Sequence, residues 1–374
     1  MRFKDVPGST QVKERFIQSI KSVTVPHAQL FSGQEGALNL PMALAFTTYL
    51  HCQNKGELDA CGECPACSKS LKYIHPDTNF VFPLGNVKGD KDADQFKAEI
   101  LKTWRSFLKE QPFSNLDDWS SYYGGEDKQA IISKDESREI IKSLSLKPFE
   151  SPYKVMLIWQ PEFMHPSSAN GILKILEEPP PNTFFLLVTN AAERLMPTIL
   201  SRTQIVQIPM LTDEELSDHL KAMGNVADSK REKIVQVAEG NLNLALKLVD
   251  QDEDHHFELF FSWMLACFKK EHAKLVSLAD DFHTFDKLNQ RNLMTYSLNM
   301  MRETLLQIAT VNSINRSKGN ELERVQKFSK LMNVPRIEKS TQLINDAAYH
   351  LERNGSAKMI FLDLSLQISK VISP

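Results

Sequence analysis

The chain has 374 residues, 24% charged and 42% hydrophobic, with a formal net charge of -3, which leaves room for two or three globular domains of ordinary composition. The slightly acidic balance argues against a free-standing, strongly basic nucleic-acid binder, although it permits a local basic patch. No apolar run approaches the ~20 residues that span a bilayer, and the first residues lead into no hydrophobic signal core, so a cytoplasmic protein is expected.

Gln11 to Ile20 is patterned as a short amphipathic helix. Ala28 to Leu50 then reads as an apolar strand, a turn with Gly33 and Gly36, and an apolar helix, the layout of a phosphate-binding loop. Such a loop requires G-x-x-x-x-G-K-[ST], because its backbone N–H groups cradle phosphates, its lysine reaches the outer ones and its hydroxyl holds magnesium. The run Glu35-Gly36-Ala37-Leu38-Asn39-Leu40 offers neither lysine nor hydroxyl. The outline of a nucleotide-hydrolysing module is present without the groups that hydrolyse.

Cys52, Cys61, Cys64 and Cys67 follow in the spacing C-x8-C-x2-C-x2-C. In a reducing compartment disulfides are disfavoured, and paired C-x2-C steps fit four thiolates closing every position of a tetrahedral zinc ion. The expected cofactor is therefore a structural Zn2+, with free surface thiols as the bland alternative. His51 and His75 flank the cluster as spare ligands, and Cys267, in an apolar helical stretch, reads as a core residue.

His75-Pro76-Asp77 suggests a loop and Phe80 to Pro83 a short strand. Residues 84–130 are polar and glycine-punctuated around one helical pattern from Gln95 to Lys109, which marks an insertion. Ser133 and Glu136 stand in capping-box spacing at the head of another helix. The strand Lys154 to Trp159, the helix Ser167 to Leu176, the strand Thr183 to Thr189 and the strand Gln204 to Ile208 come next. This alternation predicts an α/β domain, a parallel sheet covered on both faces.

Thr212-Asp213-Glu214-Glu215 is a further cap signature, heading helices over about 213–223, 228–239 and 241–249. The remainder is helical in period over 257–268, 288–308, 322–331, 336–351 and 357–372, and Met294, Met300 and Met301 form a patch that suggests an interface. The expected division is 1–209 (cysteine module about 51–75, insertion about 84–130), a helical lid over 210–252 and a helical domain over 253–374.

The segments Ser168 to Pro180, Thr183 to Asn190 and Ile199-Leu200-Ser201-Arg202-Thr203 closely resemble the clamp-loader branch of the AAA+ ATPases. With a cysteine module after the phosphate-loop helix, the chain resembles bacterial DNA polymerase III clamp-loader subunits, and the absent lysine points to the delta-prime branch. The resemblance covers residues 1 to about 250; beyond that it rests on helical character and on the closing segment Ala357 to Ile368. It implies a RecA-like sheet domain, a small lid and a C-terminal collar. It also implies work beside gamma/tau motor subunits and a delta subunit, with a sliding clamp and primed DNA reached through the assembly and no membrane.

After the strand Val155 to Ile158 the family places an Asp-Glu pair for magnesium and water, where this chain has Trp159-Gln160-Pro161-Glu162. Glu162 reads as a remnant or, better, as a residue that caps or solvates the turn. Thr189-Asn190 matches sensor 1, and Asn243 stands where an active subunit's sensor-2 helix carries arginine. The resemblance thus implies no intrinsic ATPase, but membership of a DNA-directed DNA polymerase (nucleotidyltransferase) holoenzyme.

Arg202 is the exception. The family's Ser-Arg-Cys motif projects its arginine at a neighbour's γ-phosphate, a contribution worth ~10³-fold in related phosphoryl transfer; Thr203 replaces the cysteine without touching the charge. An arginine paired within its own domain is the other reading, and Arg194 is a nearby competitor. Glu177-Glu178-Pro179-Pro180 ends a helix with acid against the dipole, a segment the family places at a subunit interface, with a solvated acidic turn as the alternative. Two readings of other classes stand beside this one: an active DNA-dependent AAA+ ATPase with an atypical phosphate loop, and a zinc-dependent nucleic-acid binder using Lys55, Lys69 and Lys72, for which no aromatic stacking platform is visible.

Overall fold

The computed structural model describes residues 1–85, 93–125, 128–133, 144, 147–224, 226–249, 253–285, 287–309, 319–352 and 355–372. The described chain forms two compact units, one of Met1–Val226 with Ala238–Lys247, the other of Ala227–Val237 with Leu248–Pro374.

The first unit is built on five parallel strands: β1 (Ala28–Ser32), β2 (Thr78–Val81), β3 (Lys154–Trp159), β4 (Thr183–Thr189) and β5 (Gln204–Gln207), in the order β2-β3-β4-β1-β5. Every residue of β1 and β3 is buried, which is what a strand covered on both faces requires and why these segments read as continuous apolar runs. On one face Leu30, Met156, Ile158, Phe185 and Leu187 pack with Ile172 and Leu176 of a helix, Pro166–Glu177. On the other, Phe31 stacks near Phe16 of α1 (Thr10–Lys21) and Phe46 of α2 (Asn39–His51).

Register places the site. Ser32 pairs with Thr189, and Trp159 with Val188. The turn after β1, the residues after β3 and those after β4 therefore leave the sheet along one edge, the carboxyl edge where open α/β sheets bind ligands.

Further helices of this unit are α3 (Pro65–Ser70), α4 (Ala93–Glu110), α5 (Leu116–Tyr122), α6 (Pro166–Glu177), α7 (Pro197–Leu200) and α8 (Asp213–Ala222). The expected cap of α8 is present, with the Glu215 N–H donating to Thr212 Oγ1 and the Thr212 N–H to Glu215 Oε2. The Ser133–Glu136 box falls outside the described residues at Glu136. The α9 helix (Asp228–Ala238) belongs, up to Val237, to the second unit, whereas α10 (Leu242–Val249) belongs to this one up to Lys247.

The second unit is helical among its described residues: α11 (Glu253–Lys269), α12 (His272–Thr284), α13 (Lys287–Ile308), α14 (Gly319–Ser329), α15 (Val334–Glu352) and α16 (Ala357–Ile372). Its core gathers Trp263, Phe282, Leu293, Ile344, Phe361 and Ile368. Met294, Met300 and Met301 belong to that core at 1%, 4% and 0% exposure, which corrects the interface reading: flexible thioethers fill this chain's own interior. The α12 helix is absent from the expectations, although Leu275, Leu278, Ala279 and Phe282, all buried, have helical spacing.

Candidate functional site

Counted from Gly33, Asn39 takes the place of a phosphate-loop lysine and Leu40 that of the hydroxyl residue. Asn39 opens α2 and is 1% exposed. Its amide donates to the carbonyl of Thr189 at 2.7 Å and faces that of Gly33 at 3.4 Å. A neutral side chain thus ties the loop to the end of β4, in the space a lysine would use to reach a phosphate. Gly36, at φ +92°, lets the turn pass under the next wall: a Cβ there would lie 2.3 Å from Cγ of Asn241 at the head of α10, so only glycine fits.

The residues after β3 and β4 are equally committed. Trp159 turns its ring onto Trp104 of α4, with centroids 5.1 Å apart. Gln160 Nε2 donates to Asn190 Oδ1, and Asn190 Nδ2 to the Gln34 carbonyl, each at 2.8 Å. The sensor-1 amide is spent on the loop's own backbone. Asn243 Nδ2 donates to Asp118 at 2.8 Å. No lysine, magnesium-binding carboxylate or sensor arginine stands at these positions.

Glu162 caps the turn, one of its two expected roles, and is partly buried rather than solvated. It lies against Thr189 and the Asn190 backbone, and burial pushes its carboxyl up to about 7 against the opposing pull of those contacts and of Arg194. Desolvation of the charged form outweighs hydrogen bonds that favour it.

Arg202 follows α7. Its Nε and a terminal nitrogen approach Glu177 Oε2 at 3.1 and 2.9 Å, and its other terminal nitrogen donates to the Thr198 carbonyl at 3.1 Å. The pair is partly exposed, 31% for the arginine and 60% for the glutamate. Such a surface pair contributes little stability, so the guanidinium is held but not buried. Glu177 is also the acid that ends α6 against its dipole. Arg194 sits exposed in a 3-10 turn, Ala192–Arg194.

At the other end of α2 the four cysteines converge. Their sulfurs all lie within 4.8 Å of one another, with Cys52–Cys61 at 3.6 Å and Cys61–Cys67 at 3.8 Å. A tetrahedral ion with metal–sulfur bonds of about 2.3 Å needs sulfurs about 3.8 Å apart, so the donor set fits. The N–H groups of Cys61, Cys64 and Cys67 each point at a preceding sulfur at 3.4 Å; the N–H donors at Glu63 and Cys64 bring the Cys61 thiol down to about 6, while burial pushes the thiols of Cys52 and Cys67 up. Such donors favour thiolate and orient it for a cation. Cys64 caps α3 with Pro65 behind it, which fixes the second C-x2-C step.

His51 and His75 are not part of the cluster. Their rings stack on each other with centroids 4.1 Å apart, and His51 bonds Ser151 Oγ and Thr78 Oγ1. Burial, helped by His75, lowers the His51 pKa to about 3, so this imidazole is neutral. The lysines offered to nucleic acid are largely engaged: Lys55 donates to the Cys52 carbonyl at 2.7 Å, and Lys69 pairs with Glu150. Cys267 is buried in the helical core, as expected. Among the described residues no helix is long and apolar enough to cross a membrane.

Comparison with known proteins places this geometry. The family model described as "DNA polymerase III, delta subunit" matches residues 8–212. DNA polymerase III subunit tau/gamma of Haemophilus influenzae is 26% identical over 254 residues, covering 67% of this chain and 30% of that protein. DNA polymerase III subunit delta' of Bacillus subtilis is 26% identical over 211 residues, covering 56% of this chain and 50% of its own. The chain thus spans between about a third and a half of the length of these two relatives. Among solved structures, a DNA polymerase III gamma subunit-related protein from Thermotoga maritima covers 97% of this chain and all of its own at 16% identity, with a TM-score of 0.43. The family match from Gly8 to Thr212 takes in all five strands and more than half of the residues, and by it the chain belongs to the DNA polymerase III clamp-loader family of AAA+ proteins.

Proposed function

We propose that this chain is a non-hydrolysing, delta-prime-type subunit that supports ATP-driven loading of a sliding clamp onto primed DNA and offers Arg202 to the ATP site of a neighbouring gamma/tau-type motor. The observation that carries the reading is an asymmetry of charge. At its own cleft, Asn39, Trp159, Gln160 and Asn243 stand where lysine, two carboxylates and an arginine would be needed. The one motif residue that keeps its charge is Arg202, partly exposed and held by one exposed carboxylate and the Thr198 carbonyl. A guanidinium can leave such a surface pair at little cost and form a stronger, charge-assisted bond with a phosphate. The partners are accordingly gamma/tau and delta subunits, with clamp and DNA engaged through the assembly in the cytoplasm.

The cysteine cluster holds a structural Zn2+ in this reading. Four thiolates leave no open position, so the metal supplies folding energy and no catalysis. It braces the unit's amino end, where Asp59 of the knuckle accepts the N–H groups of Phe3 and Lys4 at 3.0 Å each.

The test is ATP turnover by the reconstituted loader with clamp and primed DNA, comparing wild type with Arg202→Ala. Turnover is expected to fall by ~10³-fold at the adjoining site while the complex stays assembled. Unchanged turnover in an intact complex would remove the arginine from the mechanism.

A further inference from the structure

One segment approaches the cleft from several sides. Asn115, the N-cap of α5, donates its amide to Glu35 Oε1 in the phosphate-loop turn at 3.1 Å. Asp118, in the first turn of that helix, accepts from Asn243 Nδ2 at 2.8 Å and from Lys247 Nζ at 2.5 Å, both on α10. Phe113 meets the His219 ring of α8 edge-on at 5.9 Å. Behind these contacts, Trp104, Phe107 and Trp119 of the insertion pack with Phe82, and Trp104 also packs on Trp159 at the end of β3.

Phosphate loop and sensor-2 helix are the walls between which AAA+ relatives hold nucleotide. We propose that the insertion is this chain's own occupant of that cleft, with the Asp118 carboxylate in the part of a phosphate group. Its two oxygens take the ammonium and the amide on α10 that would otherwise face an anionic ligand. Asp118 is 15% exposed and Lys247 20%, so the pair is far better shielded from solvent than the Arg202–Glu177 pair and correspondingly stronger. The same carboxylate also accepts the Asn115 N–H at 3.0 Å, which couples the cap of α5 to its grip on α10. The cleft is thereby closed without nucleotide, and ATP could enter only by expelling a folded segment anchored by two buried tryptophans. The inference concerns the chain's own cleft and is independent of what Arg202 does.

The experiment uses the full chain. Wild type, Asp118→Asn and Lys247→Ala are titrated with a fluorescent ATP analogue and magnesium, and amide exchange is followed over 33–39, 154–159 and 241–247. Wild type is expected neither to bind the analogue nor to gain protection over 33–39. Both variants are expected to speed exchange over 241–247 by about tenfold, the loss of one shielded charged contact, while exchange over 154–159 is unchanged. Lys247→Ala leaves the α5 capping box untouched, so it reads the contact even where Asp118→Asn disturbs the insertion itself. Analogue binding by wild type with protection over 33–39 would overturn the proposal, as would unchanged exchange over 241–247 in both variants.

Discussion

The α2 helix carries opposite outcomes at its two ends. Its amino end is the natural anion site of the fold, where free N–H groups and the helix dipole favour a phosphate. There Asn39 is bonded to β4, Gln34 to Asn190 and Glu35 to Asn115. Its carboxyl end leads into four sulfurs with N–H groups aimed at three of them. One end is tied up by the chain's own side chains, while the other gathers a donor set that fits an ion.

That contrast breaks most visibly at the cysteine end. Metal analysis should find one zinc per chain. Chelation, or Cys67→Ser, is expected to cost several kcal/mol and to lower Tm by more than about 5 °C, since a structural zinc site contributes its binding energy to folding. A chain that melts identically with and without chelator would leave the cluster as free thiols.

At the amino end, restoring the lysine should not restore the enzyme. Asn39→Lys is expected to destabilise the fold by about 2–4 kcal/mol, because it loses a buried hydrogen bond and places an unpaired ammonium in a fully buried position. ATP turnover should stay at background, since Trp159 and Gln160 still replace the carboxylates. Measurable turnover by that variant would mean that the rest of the cleft is competent after all.

A smaller effect sharpens the picture of the residues after β3. Glu162 holds its proton to about 7 in the fold and to about 4.5 in the unfolded chain. The native state therefore binds the extra proton between those values, and stability falls as pH rises from about 4.5 to 7 and stays at the lower level above. Glu162→Gln should flatten that slope, worth about 2 kcal/mol after allowance for partial exposure. Denaturant midpoints taken across the window measure it, and a slope unchanged by the substitution would relocate the titration to another group.

The sheet and the cysteine cluster were legible in the sequence because each is local: a run or a spacing. The α12 helix had a readable period as well, in Leu275, Leu278, Ala279 and Phe282, yet its polar flanks resemble those of a connecting segment. What could not be read is long-range. Asp118 meets Lys247 across 129 positions and Asn115 meets Glu35 across 80, and neither pairing leaves a trace in composition or periodicity. The partial burial of Glu162 is long-range as well, since nothing near it in sequence foretells that Thr189 and Asn190 lie against it. Met294, Met300 and Met301 show that an apolar helix face does not by itself reveal whether it packs on its own chain or on another.

The tryptophans have a spectroscopic consequence. Three of the four in the chain, Trp104, Trp119 and Trp159, lie in one cluster, with Trp104 and Trp119 centroids 4.9 Å apart at 82°. Indoles held so close and so differently oriented couple their excited states and give a near-ultraviolet dichroism that depends on geometry. The fourth, Trp263, is fully buried in the helical unit and hydrogen-bonded to Ser365. The aromatic signal of the native protein thus originates mainly at the edge of the sheet, where opening the cleft can be watched without a label.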